Sequence, residues 1–316
     1  MPRLDVTVVV PVFNEEGNVE ELYGRTAAVL DGIDKSWELI FVDDGSHDRT
    51  FARLEELHHE DRRVKVISFR RNMGKAAAYS AGFLAAMGDI VLTMDGDLQD
   101  DPGEIPKFLE AMSEGYDVVV GWKYKGKGPV ARAWPSRIFN FIVSRTTNLA
   151  LNDFNCPFKA YRHYVIKDLH IYGELHRFIP VLLHHRGYRI QEIKVENYPR
   201  KHGTSKYGLE RFMRGFLDLT TVLFITRYNE SPLYLFGLGG ITLFSVGFLI
   251  DLFLTIRGVF FTGQIGHTAM LIFGVLLMIL GVQLFALGLT VDLSISRESR
   301  RLDYYPIRTI LDESEE

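Results

Sequence analysis

The sequence predicts an α/β domain with an open, mostly parallel sheet, followed by a two-helix transmembrane hairpin. Three observations predict it. Short β-branched runs alternate with helix-like stretches over the first 125 residues, two long apolar runs follow Pro232, and basic residues crowd the outer flanks of those runs.

The strand-like runs are Val6 to Val12, Glu38 to Val42, Val64 to Phe69, Ile90 to Met94 and Val118 to Val120. Helical spacing fills residues 17 to 31, 48 to 59, 74 to 87 and 103 to 113. Such alternation implies a parallel sheet covered on both faces. The next feature is a pair of spans. Leu233 to Ile256 holds 24 residues with Asp251 as its single charge, and Ala269 to Leu289 holds 21 with none. Each is long enough to cross a hydrocarbon core of about 30 Å.

Orientation follows from the flanks. Arg200, Lys201, Lys206, Arg211, Arg214 and Arg227 precede the first span, and Arg297, Arg300, Arg301 and Arg308 follow the second, whereas the connecting loop offers only Arg257. Positive residues stay inside, so both termini are expected in the cytoplasm. The expected domains are therefore a cytoplasmic domain over 1–230, a hairpin over 231–293 (spans near 233–256 and 269–291) and a cytoplasmic tail over 294–316. The N-terminus, MPRLDVTVVVPVFNEE, has no signal-peptide pattern.

Composition narrows the function. With 47% apolar and 24% charged residues the chain is not a disordered one. Its single cysteine, Cys156, forms no internal disulfide and no cysteine-based zinc site, which fits a site facing a reducing cytoplasm. A net charge of -4 lacks the basic excess of a nucleic-acid binder, so no nucleic-acid partner is expected. His47, His58, His59, His184 and His185 show no metal-ligand spacing and read as surface or capping residues.

In an open α/β sheet, ligands bind beyond the carboxyl ends of the strands. Asn14-Glu15-Glu16, Asp43-Asp44-Gly45-Ser46 and Asp95-Gly96-Asp97-Leu98-Gln99-Asp100-Asp101 all fall there. An acidic rim accepts a phosphorylated ligand only if a divalent cation mediates. Asp95, Asp97 and Gln99 supply hard oxygen ligands suited to Mg²⁺ or Mn²⁺, with phosphates completing the shell. Asp43 and Asp44 are placed to accept hydrogen bonds from a ribose or base.

VVVPVFNEEGN, FVDDGSHDRT, RRNMGKAAAYSAGF and MDGDLQDDPGEIP, in that order, resemble the nucleotide-sugar domain of family 2 glycosyltransferases. More narrowly, ELHRFIP at 174–180 and YPRKHGTSKYG at 198–208, followed by two spans, resemble the polyprenyl-phosphate glycosyltransferases, the dolichyl-phosphate mannose synthase-like group. The resemblance covers nearly the whole chain. It implies a GT-A fold, Rossmann-like, a nucleotide-sugar donor, Mg²⁺ or Mn²⁺, and a polyprenyl phosphate acceptor such as undecaprenyl phosphate, reached at the inner (plasma) membrane. It also implies transfer of one sugar in a single inverting displacement.

Residue by residue, the resemblance places Pro11, Phe13, Glu15 and Asp43 around the nucleoside, and Asp95, Asp97 and Gln99 at the metal and diphosphate. Arg200, Ser205 and Lys206 lie in the loop expected to contact phosphates, an Arg fork and a Lys point charge suiting that task. Lys123 stands where relatives often carry Arg. Asp153, in LNDFNCPFKAYR, occupies the acidic position near the reacting sugar. Two roles stay open for it: general base, or orienting the acceptor or a sugar hydroxyl, because a phosphate monoester is already largely dianionic at pH 7. Where some relatives have a further acid, this chain has Cys156.

Acceptor access is expected from two amphipathic stretches, near 130–150 and 208–228. Trp134, Ile138, Phe141 and Ile142 share one helical face beside Arg132, Arg137 and Arg145; Leu209, Phe212, Met213, Phe216 and Leu217 repeat the pattern. Arg132, Arg137, His176 and Arg177 are the expected acceptor-binding residues. Within the spans, Gly240, Gly247, Gly274, Gly281 and Gly288 form a small-residue seam. Packing within the hairpin is the favoured reading and a homo-oligomer the alternative. Two other classes share parts of this pattern: a processive polysaccharide synthase, whose usual Q-x-x-R-W motif is absent here, and a non-enzymatic membrane scaffold, which would not need the Asp95/Asp97 pair.

Overall fold

The computed structural model describes residues 4–124, 140–167, 169, 171, 173, 175–196, 232–262 and 268–298. Strands β1 (Leu4–Val12), β2 (Trp37–Asp43), β3 (Val64–Ser68), β4 (Gly88–Thr93) and β5 (Val118–Lys123) match the five apolar runs. Between and after them run α1 (Val19–Asp31), α2 (Thr50–Glu60), α3 (Lys75–Ala85) and α4 (Ile105–Ser113), close to the four expected helices. Two further strands complete the sheet, β6 (Lys159–Arg162) and β7 (Ile190–Val195).

The sheet order is β3-β2-β1-β4-β6-β5-β7. Pairings β1/β2, β2/β3, β1/β4 and β5/β7 are parallel, while β6 runs antiparallel between β4 and β5. The sheet is thus mixed, with parallel pairings in the majority. The antiparallel β6 brings its amino end to the carboxyl end of β4, pairing Lys159 with Thr93. The chain leaves β1 toward β2 and later returns to β4 on the other side of β1. This reversal creates the crevice where α/β sheets bind ligands.

The first strands are buried on both faces, as a covered parallel sheet requires: all seven residues of β2 are buried. The core joins Val8, Val10, Leu39, Phe41 and Leu92 to the helices, and Phe108 of α4 stacks on Phe158 with ring centroids 4.4 Å apart. Phe158, immediately before β6, and Ala160 within it belong to this core, so the alternate residues Lys159 and Tyr161 face the other side of the strand.

Residues divide into two compact units, Met1–Val222 and Leu223–Glu316. In the second, helices Pro232–Arg257 and Thr268–Glu298 are each long and apolar enough to cross a membrane. Their glycines meet one another. A Cβ on Gly240 would lie 2.5 Å from the Gly281 carbonyl oxygen, one on Gly281 would lie 2.5 Å from that of Gly240, and Gly247 faces the Gly274 carbonyl. The seam packs the hairpin itself, as close helix contact demands small residues. Asp251, the single charge of the first span, lies against Gly274.

Candidate active site

The carboxyl ends of β2, β1 and β4 are adjacent, so the three acidic clusters do share one edge. Hydrogen bonds stitch the first two together. Asn14 N–H donates to Ser46 Oγ (2.9 Å), His47 N–H donates to Asn14 Oδ1 (2.9 Å), Glu15 N–H donates to Thr50 Oγ1 (2.8 Å) and Arg49 N–H donates to Glu16 Oε2 (2.9 Å). Asn14 takes a left-handed backbone (φ 56), which Asn tolerates well. Gly45 (φ 74) is more constrained, because a Cβ there would strike the backbone of Arg71 at 2.5 Å.

Asp43 ends β2 and accepts from Ser46 N–H (3.0 Å) and Ser68 Oγ (2.8 Å). Asp44 accepts from the backbone N–H groups of Met73 (2.6 Å) and Gly74 (2.9 Å), which holds the loop before α3. Both carboxylates therefore organise the rim itself. Pro11 is buried at the end of β1. Phe13 is exposed and meets His47 edge-on at 6.1 Å, giving the rim an aromatic surface. Glu15 accepts from Asn18 Nδ2.

The loop after β4 carries the charge. Asp95 Oδ1 accepts from Lys75 Nζ at 2.6 Å, and the Asp95 N–H donates to Asp100 Oδ2 at 3.0 Å. Asp100 Oδ1 pairs with Lys123 Nζ at 2.8 Å. Burial pushes the Asp95 carboxyl up, but Lys75 and Lys123 outweigh it and hold the group below its ordinary value. For Asp100, burial and the Asp95 charge win over Lys123, and its carboxyl lies above the ordinary value. Burial acts against the Lys123 ammonium, yet Asp100 and Asp95 hold it above its usual range. Lys123, which stands where relatives often carry Arg, pairs with Asp100 here.

Asp97 is buried and accepts from the Gln99 N–H at 3.2 Å, closing a tight turn over Leu98. Leu98 itself is left-handed (φ 59), a conformation costing an L-residue roughly 1–2 kcal/mol. Its side chain packs in the core, and that burial offsets the strain.

Among the described residues no group of three or more His, Cys, Asp or Glu side chains is placed to hold a metal. Asp95 and Asp97 offer two carboxylates. That suits a hard cation that takes one or two carboxylates and completes its shell from substrate phosphates and water. The donor set fits such a site.

Beside Asp95 opens a cavity of about 300 Å³. Its wall includes Lys75 at the start of α3, Lys159 of β6, and His176 and Arg177 of the 3-10 turn Leu175–Phe178. Tyr79 and Tyr161 add hydroxyls. The cavity thus brings Asp95, expected at the metal, together with His176 and Arg177, expected at the acceptor. Lys75 and Lys159 were missed as site residues, although both lie within quoted motifs. The available signal was a lysine in FKAY, on the strand face opposite two core residues. Burial pushes the His176 imidazole down to about 3, with Lys75 and Arg177 adding to the effect.

Asp153 is buried outside the lining of this cavity, two residues before Asn155, which does line it. Its backbone N–H donates to Glu192 Oε1 (3.0 Å), which also accepts from Asn152 N–H (2.7 Å), while Asn152 Nδ2 donates to Glu192 Oε2 (2.6 Å). Glu192 of β7 therefore clamps the turn that carries Asp153. Cys156 is buried, and burial followed by the Asp100 charge pushes its thiol up, so it is no reactive thiolate. Arg132, Arg137, Arg200, Ser205 and Lys206 lie outside the described residues, as does the 208–228 stretch. Of the first amphipathic stretch, Phe141 and Ile142 are exposed while Val143 is buried.

A carboxylate pair suited to a phosphate-bound cation, set beside a basic cavity at the sheet's reversal point, defines an enzyme acting on a phosphorylated donor. Residues 7–170 match the model of the family described as glycosyl transferase family 2. The chain belongs to this family and is a glycosyltransferase. It is 37% identical over 98% of its length to a dodecaprenyl-phosphate galacturonate synthase of Rhizobium johnstonii, covering 94% of that protein. It is 38% identical to an undecaprenyl-phosphate 4-deoxy-4-formamido-L-arabinose transferase of Pseudomonas aeruginosa, over 90% of this chain and 83% of that protein. Among solved structures, glucosyl-3-phosphoglycerate synthase of Mycobacterium tuberculosis, in complex with Mn²⁺, UDP and glucosyl-3-phosphoglycerate, aligns with a TM-score of 0.55 at 18% identity. That alignment covers 71% of this chain and 80% of the other, and establishes the GT-A-like fold.

Proposed function

We propose that this protein transfers one sugar from a nucleoside diphosphate donor to the phosphate of a polyprenyl lipid, at the cytoplasmic face of the inner membrane. The carrying observation is Asp95 in the wall of a basic cavity at the sheet's reversal point. The family, the two membrane-length helices and the polyprenyl-phosphate activities in the relatives' names support the same reading. The catalytic domain and both termini are cytoplasmic in this proposal, from the distribution of Arg and Lys.

In the reaction a phosphate oxygen of the acceptor attacks the anomeric carbon. The bond from that carbon to the donor's β-phosphate oxygen breaks, its electron pair leaves with the nucleoside diphosphate, and configuration inverts. Asp95 and Asp97, with Gln99 nearby, would hold a divalent cation that, when bound, would supply counter-charge to the diphosphate; structural neighbours were crystallised with Mn²⁺ or Mg²⁺. Pro11, Phe13, Glu15 and Asp43 form the nucleoside side, and Arg200, Ser205 and Lys206 contact the phosphates. Arg132 and Arg137 meet the acceptor. Asp153 orients the acceptor or a sugar hydroxyl, since a monoester that is already dianionic needs little proton abstraction.

Asp97→Asn in the full-length protein tests this reading. Transfer of radiolabelled sugar to lipid should fall on the order of a hundredfold or more, and Mn²⁺ binding measured by electron paramagnetic resonance should weaken in parallel. Near-normal transfer in that variant, or by the parent in excess EDTA, would overturn the metal assignment.

A further inference from the structure

Three features of the cavity are unexplained by a site for phosphates alone. Lys159 is 3% exposed, and its ammonium donates to the Cys156 carbonyl, with no carboxylate in ion-pair range among the described residues. Burial pushes that ammonium below its ordinary range, the behaviour of a cation without a counter-ion. The Tyr79 hydroxyl and His176 Nδ1 are also buried, with no hydrogen-bond partner among the described residues. Buried polar groups are nearly always satisfied. All three residues line one cavity, and their polar groups suit a ligand that is polar and bears negative charge.

Position says which part of a donor reaches them. Lys159 pairs with Thr93, two residues below Asp95 on the neighbouring strand, which sets it about 7 Å deeper into the sheet than the acidic loop. Lys75 stays at the level of the loop, on Asp95. A donor whose diphosphate lies at Asp95 and Asp97 would therefore present to Lys159 the far side of its sugar. That depth is the reach of a pyranose ring with its C5 substituent.

Resting on the transferase reading above, we propose that this cavity receives the sugar of the donor and is built for a sugar bearing a carboxylate, a nucleoside diphosphate-uronate, with Lys159 as the carboxylate's partner. Tyr79 and His176 then meet ring hydroxyls. A neutral hexose would leave the Lys159 ammonium buried without a counter-ion, which disfavours it.

The test uses the full-length protein in lipid nanodiscs with undecaprenyl phosphate, comparing UDP-glucuronate with UDP-glucose and UDP-galacturonate with UDP-galactose. In at least one pair the uronate should be preferred about tenfold to a hundredfold in kcat/KM, the worth of a charge-assisted hydrogen bond. Lys159→Met should collapse that preference, and Lys159→Arg should keep most of it. Equal or better use of the neutral sugar in both pairs overturns the proposal on the parent protein alone, whatever the variants do. It is also overturned if Lys159→Met retains the preference, or if it raises only the acceptor KM, which would put Lys159 at the lipid phosphate. Transfer from neutral donors only would leave the transferase reading intact; transfer from none of the four would count against both.

Discussion

Lys123→Met isolates the charge network that holds the acidic loop, since Lys123 is the partner whose charge the network favours. Asp100 keeps 1% of its side chain exposed and Lys123 keeps 16%, with 2.8 Å between Oδ1 and Nζ. At an effective dielectric of about 20 the gross attraction is about 6 kcal/mol, and desolvation of both groups opposes much of it. Removing one partner from a buried pair costs about 3–5 kcal/mol, because the other charge is left uncompensated. Lys123 retains some solvent contact, so the low end, about 3 kcal/mol, is expected. Methionine keeps an apolar stem of similar length, so the loss belongs chiefly to the Asp100 carboxylate left buried beside Asp95.

For a unit the size of Met1–Val222, 1 kcal/mol shifts Tm by about 2–4 °C. The expected loss is roughly 6–12 °C by scanning fluorimetry at pH 7.5. Adding Asp100→Asn should restore part of it, because the orphaned buried charge is gone, and the double-mutant cycle should show a coupling of about 2 kcal/mol or more. A shift under about 2 °C for Lys123→Met, or a double variant whose loss equals the sum of the singles, would refute the reasoning.

Two further predictions concern the cavity and its neighbouring turn. His176 sits near 3 in the folded protein against an ordinary 6.5, so its neutral form adds stability that is present above pH 6.5 and lost as pH falls below it; between pH 7.5 and 5.0 the parent should lose more Tm than His176→Phe, and an imidazole titrating near 6.5 by NMR would contradict this. Glu192→Ala frees the turn bearing Asp153, so kcat should drop about tenfold while donor KM moves less than threefold, as expected when orientation rather than ground-state binding is lost; an unchanged kcat would remove Asp153 from the reaction.

The strands β1 to β5 and helices α1 to α4 were legible because each writes its burial into a local period. Val6 to Val12 is apolar throughout, as a strand covered on both faces must be. The hairpin helices were legible from length and apolarity alone. β6 was not, since four residues containing Lys and Arg carry no apolar signature. Its identity as a strand comes from hydrogen bonding to β4 and β5 on either side.

Sequence by itself determined where acids would gather: they follow β1, β2 and β4 in the chain, and the α/β rule sends all three to one edge. It also determined the family, through motifs whose order survives at any folded geometry. Only the tertiary structure decided that Lys75 faces Asp95, that Asp100 takes up Lys123, and that Lys159 lines a cavity with His176 and Arg177. The physical reason is that a helix or strand period records which face of one element is buried, whereas a site built from α3, β6 and a 3-10 turn depends on the antiparallel insertion of β6. That insertion is set by backbone pairing and core packing spread over many residues, and no local pattern encodes it.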